Sequence, residues 1–469
     1  MMLAPEGYDF SNNLHLFSIK GLHFAVDVNS GAVSLLDDVC FRLLSELVSS
    51  GGDMEQARKK CLGFAGPEEI EEARVEIEEA RNNGCLFTGG EIPRLPFDDM
   101  PVKALCLNVA HKCNLRCRYC FAAQGSFGGQ EMLMSFEVAC RAVDFLLANC
   151  GGVRNLEIDF FGGEPLLNPD VIRGTVRYGK EQAARSGKTI NFTLTTNAFL
   201  LTREIVDFLV AEEISLIMSL DGRPEVNDAN RISAGGKGSY HSVLPRIQAA
   251  VAQKPPSYYV RGTFTKENLD FSRDLEHLIE CGFDNISLEP AVGGADRFAI
   301  GEPELPRVLE EYERLAEVLF DRYSRGREID FFHFNIDFEG GPCLAKRVTG
   351  CGAGVEYLAV TPEGDIYPCH QFVGNPDFLM GSVYQGLTNP DVRQLFVENQ
   401  LFYKEDCKKC WARYYCGGGC AANAYLENRD LKKPSRVSCA MQRKRIECAI
   451  WLDAKKRLRQ DRVRHNVAR

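Results

Sequence analysis

Residues 104–122, ALCLNVAHKCNLRCRYCFA, decide how the chain reads. ALCLNVA (104–110) is an apolar run of strand length with Leu and Val at its centre. It runs into three cysteines, Cys113, Cys117 and Cys120, spaced C-x3-C-x2-C. A structural zinc site wants four protein ligands, and a disulfide would leave one thiol over. A cubane [4Fe–4S] cluster on three thiolates would keep one iron open, as a catalytic centre needs. Cysteines in tight loops are how ferredoxin clusters are held.

Downstream of this loop, strands and helices alternate. NLEIDFFGGEP, NFTLTTNA, SLIMSLDG, YYVRGTFTK and NISLEPAV read as further strands. Helical segments such as MSFEVACRAVDFLLANC and YHSVLPRIQAAVAQ separate them. Near-continuous apolar strands alternating with helices imply a parallel sheet. Six βα units predict a partial (β/α)6 barrel, with chemistry at the C-terminal ends of its strands. On this reading the cysteine loop follows the first barrel strand.

Ahead of the barrel, LHLFSIKGLHFAVDVNSGAVSLL (14–36) predicts a three-stranded meander turning at Lys20-Gly21 and at Asn29-Ser30-Gly31. Asp37 and Asp38 are N-cap residues for a following helix. A further helix is opened by Pro67 and closed by Gly84. TGGEIPRLPFDDMP, rich in Gly and Pro, is a linker.

The bulk numbers bound the class. The chain has 469 residues, 19 cysteines and a net charge of −10. The length suggests several domains, and the acidic balance argues against non-specific nucleic-acid binding. Only the tail, AKKRLRQDRVRHNVAR, is basic, as a solvated last helix would be. There is no apolar run long enough to span a membrane and no secretory signal at the start. The expectation is therefore a cytoplasmic protein with no membrane and no nucleic-acid partner. A disulfide scaffold would be far shorter, so clustered cysteines point to metal.

A second cysteine field begins at about 340. Cys351 and Cys369 bracket Gly364 as C-x12-G-x4-C; Cys407, Cys410, Cys416 and Cys420 read C-x2-C-x5-C-x3-C; Cys439 follows. A zinc ribbon accounts for CKKC…CGGGC but leaves Cys351, Cys369 and Cys439 over. GCGAG (350–354) lacks the G-x-G-x-x-G spacing and a following helix, so it is no nucleotide loop. Cys40, Cys61, Cys85, Cys106, Cys140, Cys150, Cys281 and Cys448 mostly sit in apolar periodic runs, as buried small hydrophobes do. His370, beside Cys369, reads as a supporting residue more than a ligand.

C-x3-C-x2-C with Tyr119 before the last cysteine resembles the radical S-adenosylmethionine (SAM) superfamily. The resemblance implies that Cys113, Cys117 and Cys120 hold a catalytic [4Fe–4S] cluster and that S-adenosylmethionine completes its open iron. One electron would then release a 5′-deoxyadenosyl radical. By the family pattern Gly162, Gly163, Glu164 and Pro165 (FFGGEP) bind the cofactor, Glu164 at its ammonium. Asn197, Ser219, Asp221 and Arg231 match positions that hold its ribose or carboxylate. The second field is similar to the SPASM extension, which implies two auxiliary [4Fe–4S] clusters. The first would be held by Cys343, Cys351, Cys369 and Cys420, the second by Cys407, Cys410, Cys416 and Cys439.

VDVNSGAV, YCFAAQG, LMSFEVACRAVDFLL, NLEIDFFGGEPL, GGPCLAKRVTGCGAGVEYLAVTPEGDIYPCHQFVG and CWARYYCGGGCAANAY resemble the SCIFF-type and ranthipeptide peptide maturases, with the freyrasin type equally compatible. That implies thioether formation between a Cys sulfur and a side-chain carbon of a ribosomally made precursor peptide. Flavodoxin or ferredoxin would donate the electron. Residues 1–88 would be a winged-helix-like leader-recognition module and 89–102 a linker. The radical SAM barrel would occupy 103–325, the SPASM domain 326–450, and a basic helix or tail 451–469. Carbon–carbon or α-thioether crosslinking and sulfatase-maturase-like Cys oxidation are the alternative reactions of this architecture.

Overall fold

The computed structural model describes residues 4–5, 7–90, 100–293, 297–338 and 348–467. Cys343 and most of the expected linker lie outside the described residues. The N-terminal module is an antiparallel sheet of β1 (Leu14–Ile19), β2 (Leu22–Asp27) and β3 (Val33–Leu36), in that order. Lys20 and Gly21 both take positive φ, 48° and 76°, as a two-residue hairpin matched to strand twist requires. The helix Asp38–Ser49 is capped by Asp37, whose carboxylate accepts from Cys40 N. The helix Pro67–Asn82 opens on its proline as expected. A third helix, Met54–Cys61, was not anticipated; Asp53 caps it.

Period-two alternation divides the two faces of this small sheet. Leu14, Leu16 and Ala25 pack with Leu43, Leu44, Leu47, Ile70 and Ile77 of the module's own helices. Phe17, Ile19, Phe24 and Val26 join the core of the main body. The module is therefore held by burial on both sides, at roughly 1.5–3 kcal/mol for each large apolar side chain.

Among the described residues the main sheet has 11 strands. β4 (Ala104–Ala110), β5 (Asn155–Gly162), β6 (Thr189–Thr196), β7 (Ser215–Ser219), β8 (Tyr258–Phe264) and β9 (Asn285–Pro290) are parallel and adjacent in chain order. Helices connect them, from Phe136–Asn149 to Phe271–Glu280, and Leu305–Ser324 follows β9. The barrel does not close. β9 takes the short parallel β10 (Asp330–Phe331) on its free edge, and β4 takes β11 (Tyr357–Val360). β12 (Asp365–Tyr367), β13 (Gly381–Ser382) and β14 (Gly386–Leu387) extend the sheet antiparallel from β11. The cysteine-rich C-terminal region is thus stitched into the barrel's own sheet.

One expectation changes. β4 is buried on both faces over Leu105–Ala110, but β5 to β8 are not continuous apolar strands. Leu156, Ile158, Phe160, Phe192, Leu194, Leu216, Met218 and Val260 face the helices and are buried. The alternate residues, among them Phe161, Thr195, Ser219, Arg261 and Thr263, line a cavity instead. An open barrel keeps a second, polar face that a closed and filled one buries.

The last helix, Arg436–Val467, runs through the expected division at 450/451 without a break. Arg445 Nε donates to the Tyr312 hydroxyl at 2.8 Å and Lys444 pairs with Glu313 at 3.0 Å, tying it to the helix Leu305–Ser324. No helix among the described residues is long and apolar enough to cross a membrane.

Candidate active site

Beyond β4 the cysteine loop is laid against neighbouring backbone on two sides. Arg116 N donates to Ile232 O at 2.6 Å and Arg118 N to Asn230 O at 3.0 Å, a short antiparallel pairing. On the other side it meets the end of β5. A Cβ on Gly162 would strike the Ala110 carbonyl, and one on Gly163 the Lys112 carbonyl. A Cβ on Gly125 would stand 2.9 Å from Cys113 Cβ. Gly162 also sits at φ 127°, a backbone state open mainly to glycine. These glycines were expected to admit a ligand; their close partner in the structure is the cysteine loop itself.

Glu164 is fully buried. Its Oε1 accepts from Thr196 Oγ1 at 2.7 Å and Leu166 N at 3.0 Å, and its Oε2 from Asn197 N at 2.8 Å. Burial pushes its pKa up to about 7, against these three donors. One lone pair on Oε2 has no donor, and a cation placed there would hold the carboxylate ionised. The residues present therefore suit a bound ammonium. Sequence reading singled out Asn197 and passed over Thr196, which precedes it. The Asn197 side chain steadies the loop: Nδ2 donates to Asn114 Oδ1 at 2.8 Å and lies 3.7 Å from Cys113 Sγ. Asn114 Nδ2 is buried without a partner. Burial raises the Cys113 thiol to about 11 and the Cys117 thiol to about 12. Three half-buried thiols and an unmet donor at one loop suit an anionic iron–sulfur ligand set.

Asp221, expected at the cofactor, is committed to protein partners. Oδ1 accepts from Arg231 Nε at 2.8 Å and Thr263 N at 2.9 Å, while Oδ2 accepts from the Tyr119 hydroxyl at 2.6 Å. Burial alone would lower the Arg231 pKa, but Asp221 overrides it and keeps the guanidinium charged. Asp221 thus ties β7 to the cysteine loop and aims Arg231, which does line the cavity. Tyr119, Gly162, Gly163, Glu164, Asn197 and Ser219 line it as well; Asp221 and Pro165 do not.

The opposite wall was not read from the sequence. Arg261 and Glu289 reach it from β8 and β9, and His370 and Gln371 from just beyond Cys369. Glu289 lies 3.1 Å from His333 and 3.7 Å from Arg261. Burial, with Arg261 nearby, pushes the His370 pKa down to about 4, so its imidazole is neutral. Gln371 Oε1 is buried without a partner. The only available cue was period-two alternation along YYVRGTF, which puts Arg261 on the same face as Thr263.

The second cysteine field folds into two groups. Cys410 lies close enough to Cys407, Cys416 and Cys439 to help raise the pKa of each. Cys351 does the same for Cys369 and Cys420. Thiolates around one tetrahedral zinc stand about 3.8 Å apart, from a Zn–S bond of about 2.3 Å. Among the described residues no three of these thiols lie within 4.8 Å of one another. As placed, no three of the described thiols converge on a single metal ion. The N-terminal module is docked on this region. The His15 ring stacks on Trp411 at 3.8 Å between centroids. Arg413 donates to Asn12 O at 2.7 Å, Asn13 Oδ1 at 2.7 Å and Asn29 Oδ1 at 2.9 Å, and Tyr415 OH to Gly31 O at 2.8 Å.

Residues 107–288 match the model of the radical SAM superfamily. An uncharacterised protein of Methanocaldococcus jannaschii is 31% identical over 189 residues, 40% of this chain and 62% of that relative. The cysteine-type anaerobic sulfatase-maturating enzyme of Clostridium novyi is 24% identical over 340 residues, 67% of this chain and 86% of its own. Among solved structures, anSMEcpe with bound AdoMet and Cp18Cys peptide superposes with a TM-score of 0.63 at 19% identity, over 76% of this chain and 99% of that one. Streptococcus suis SuiB gives 0.52 at 18%, over 91% of this chain and 98% of its own. Both are likenesses of fold. The strand-end loop with its three thiols, the buried Glu164 facing it and the matching superfamily model agree: residues 107–288 are a radical SAM domain, and the chain is an enzyme built on it.

Proposed function

We propose that the enzyme is a peptide maturase that forms intramolecular thioethers, joining a Cys sulfur to a β or γ side-chain carbon of an acceptor residue in a ribosomally made precursor. Support comes first from Cys369: it belongs to a three-thiol group, and the next two residues, His370 and Gln371, line the cavity. Cys351, Cys369 and Cys420 would hold one auxiliary [4Fe–4S] cluster of a SPASM domain, together with Cys343, and Cys407, Cys410, Cys416 and Cys439 the other. An electron-accepting centre would then stand one residue from the substrate. Support for a peptide comes from the relative solved with one bound and from the N-terminal module. Among the described residues β3 pairs only with β2, and Leu35 on it is 44% exposed. An extended leader added at that edge would gain main-chain hydrogen bonds.

Cys113, Cys117 and Cys120 would hold the cluster that binds S-adenosylmethionine, and the bound pair would supply the radical chemistry that removes one hydrogen from the acceptor carbon. The protein's part is placement. Glu164, with Thr196 behind it, would hold the cofactor's ammonium, and Arg231, aimed by Asp221, would face its carboxylate. Tyr119 and Phe121 line the loop side of the cavity. Bonding of sulfur to carbon would release the thiol proton and one electron, which the auxiliary centres would accept, and a flavodoxin or ferredoxin would supply the electron that starts the reaction.

The reconstituted enzyme, given a Cys-containing precursor peptide, tests this by mass spectrometry. A loss of two hydrogens per crosslink with cysteines closed to alkylation is expected. Products whose thiols still alkylate would instead indicate carbon–carbon crosslinking, and a peptidyl aldehyde would indicate Cys oxidation.

A further inference from the structure

Lys404 is fully buried, 1% exposed. A lysine so enclosed normally has a carboxylate partner, because an unpaired ammonium out of water is costly. Among the described residues its one side-chain hydrogen bond goes from Nζ to Gly418 O at 2.7 Å, a neutral oxygen. Besides burial, the groups that act most on its charge are the thiols of Cys407, Cys416, Cys420 and Cys439. Its other two N–H bonds have no acceptor among the described residues.

The backbone around it is shaped to the same end. Gly417, Gly418 and Gly419 of CGGGC take positive φ in succession, 73°, 92° and 75°. This turn directs the Gly418 carbonyl at Lys404 and the Gly418 and Gly419 N–H groups at the Cys416 sulfur. Successive N–H groups in such a turn form an anion-binding nest. A lysine with no carboxylate partner among the described residues and a nest of amides therefore meet at the turn that follows Cys416.

We infer that Lys404 is the built-in counter-ion of the iron–sulfur cluster held by Cys407, Cys410, Cys416 and Cys439, and that its charge sets the reduction potential of that cluster. The inference rests on the auxiliary-cluster reading proposed above. A [4Fe–4S]2+ core with four thiolates carries two net negative charges, and one added electron makes it three. A fixed ammonium stabilises the reduced form more than the oxidised one and so raises the potential. Lys404 is a positioning residue; it touches no substrate.

The test is a redox titration followed by electron paramagnetic resonance on anaerobically reconstituted wild type, Lys404→Gln and Lys404→Arg. Gln keeps a donor for Gly418 O and drops the charge; Arg keeps the charge. Wild type should hold about twelve irons per chain, four to a cluster. In Lys404→Gln one auxiliary cluster should lose at least tenfold in its equilibrium constant for reduction, about 59 mV for a one-electron couple. The Cys113/Cys117/Cys120 cluster should not shift, and Lys404→Arg should stay near wild type. Full iron with unchanged potentials in Lys404→Gln would overturn the inference while leaving the auxiliary clusters intact. Wild type holding about four irons would overturn both readings together. If Lys404→Gln loses one cluster, melting of the iron-free proteins decides. Apo Lys404→Gln melting above apo wild type supports a counter-ion stranded without its anion; melting below it means a structural tie to Gly418 and overturns the inference.

Discussion

Glu164 works as a carboxylate that burial keeps from ionising freely. Its pKa is raised to about 7 in the folded protein, against about 4.3 for an exposed Glu. The folded state therefore binds its proton more tightly than the unfolded one. The stability this gives is complete below about pH 4 and is lost as pH rises through about 7. Cofactor binding runs the other way, since an ammonium needs the ionised form. Affinity for S-adenosylmethionine, measured by equilibrium dialysis on the reconstituted protein, should rise as pH passes up through 7. Glu164→Gln should weaken binding at pH 8 by about tenfold or more, a charge-assisted bond's worth, and flatten the pH profile. An unchanged profile in that variant would remove Glu164 from the cofactor site. Thr196 and Asp221 show the limit of reading at this scale: each acts by fixing another residue, Glu164 or Arg231.

Among elements, the junction of β4, the cysteine loop and the end of β5 is the most constrained. Gly163 has the Lys112 carbonyl where a side chain would go, so Gly163→Ala forces the loop off the strand end. The variant should keep its far-ultraviolet circular dichroism and lose one cluster's worth of iron on reconstitution. Retained iron would mean that the loop tolerates the shift. A second junction joins the N-terminal sheet to the Cys410–Cys416 loop. Arg413 satisfies three oxygens of the module, and Arg413→Ala leaves them without a donor at a cost of about 3 kcal/mol. Hydrogen exchange should then rise across β1 and β2 and leave β5 and β6 unchanged. The strands and most helices at both junctions were legible beforehand, because caps such as Asp37 and apolar periods are local signals. The docking was not: His15 and Trp411 are almost four hundred residues apart, and neither has a local partner that marks it.

Across the whole molecule the open edge of β4 decides the architecture. By pairing with β11 it puts the C-terminal cysteine field beside the cavity. Under the proposed function this divides the labour. Cys117→Ala should abolish release of 5′-deoxyadenosine, because the cofactor's cluster is lost. Cys410→Ala should retain that release at a tenth or more of wild type and lose crosslinking, read by chromatography of one reaction. If both activities fall together in folded protein, the two cysteine fields do not serve separate steps.

Alone, the sequence determined the six βα units, the β-meander ahead of them and the C-x3-C-x2-C loop at the first strand's end. Each of these is written in residue types within a few positions of one another, where strand period, helix period and cap chemistry act. The tertiary structure alone decided that the barrel stays open, with Arg261, Glu289, His370 and Gln371 on its far wall. It likewise decided that the glycines after β5 serve the cysteine loop, and that Lys404 is buried among thiols. These depend on which distant segments share a volume and on which charges lose their water there, and no local pattern records either.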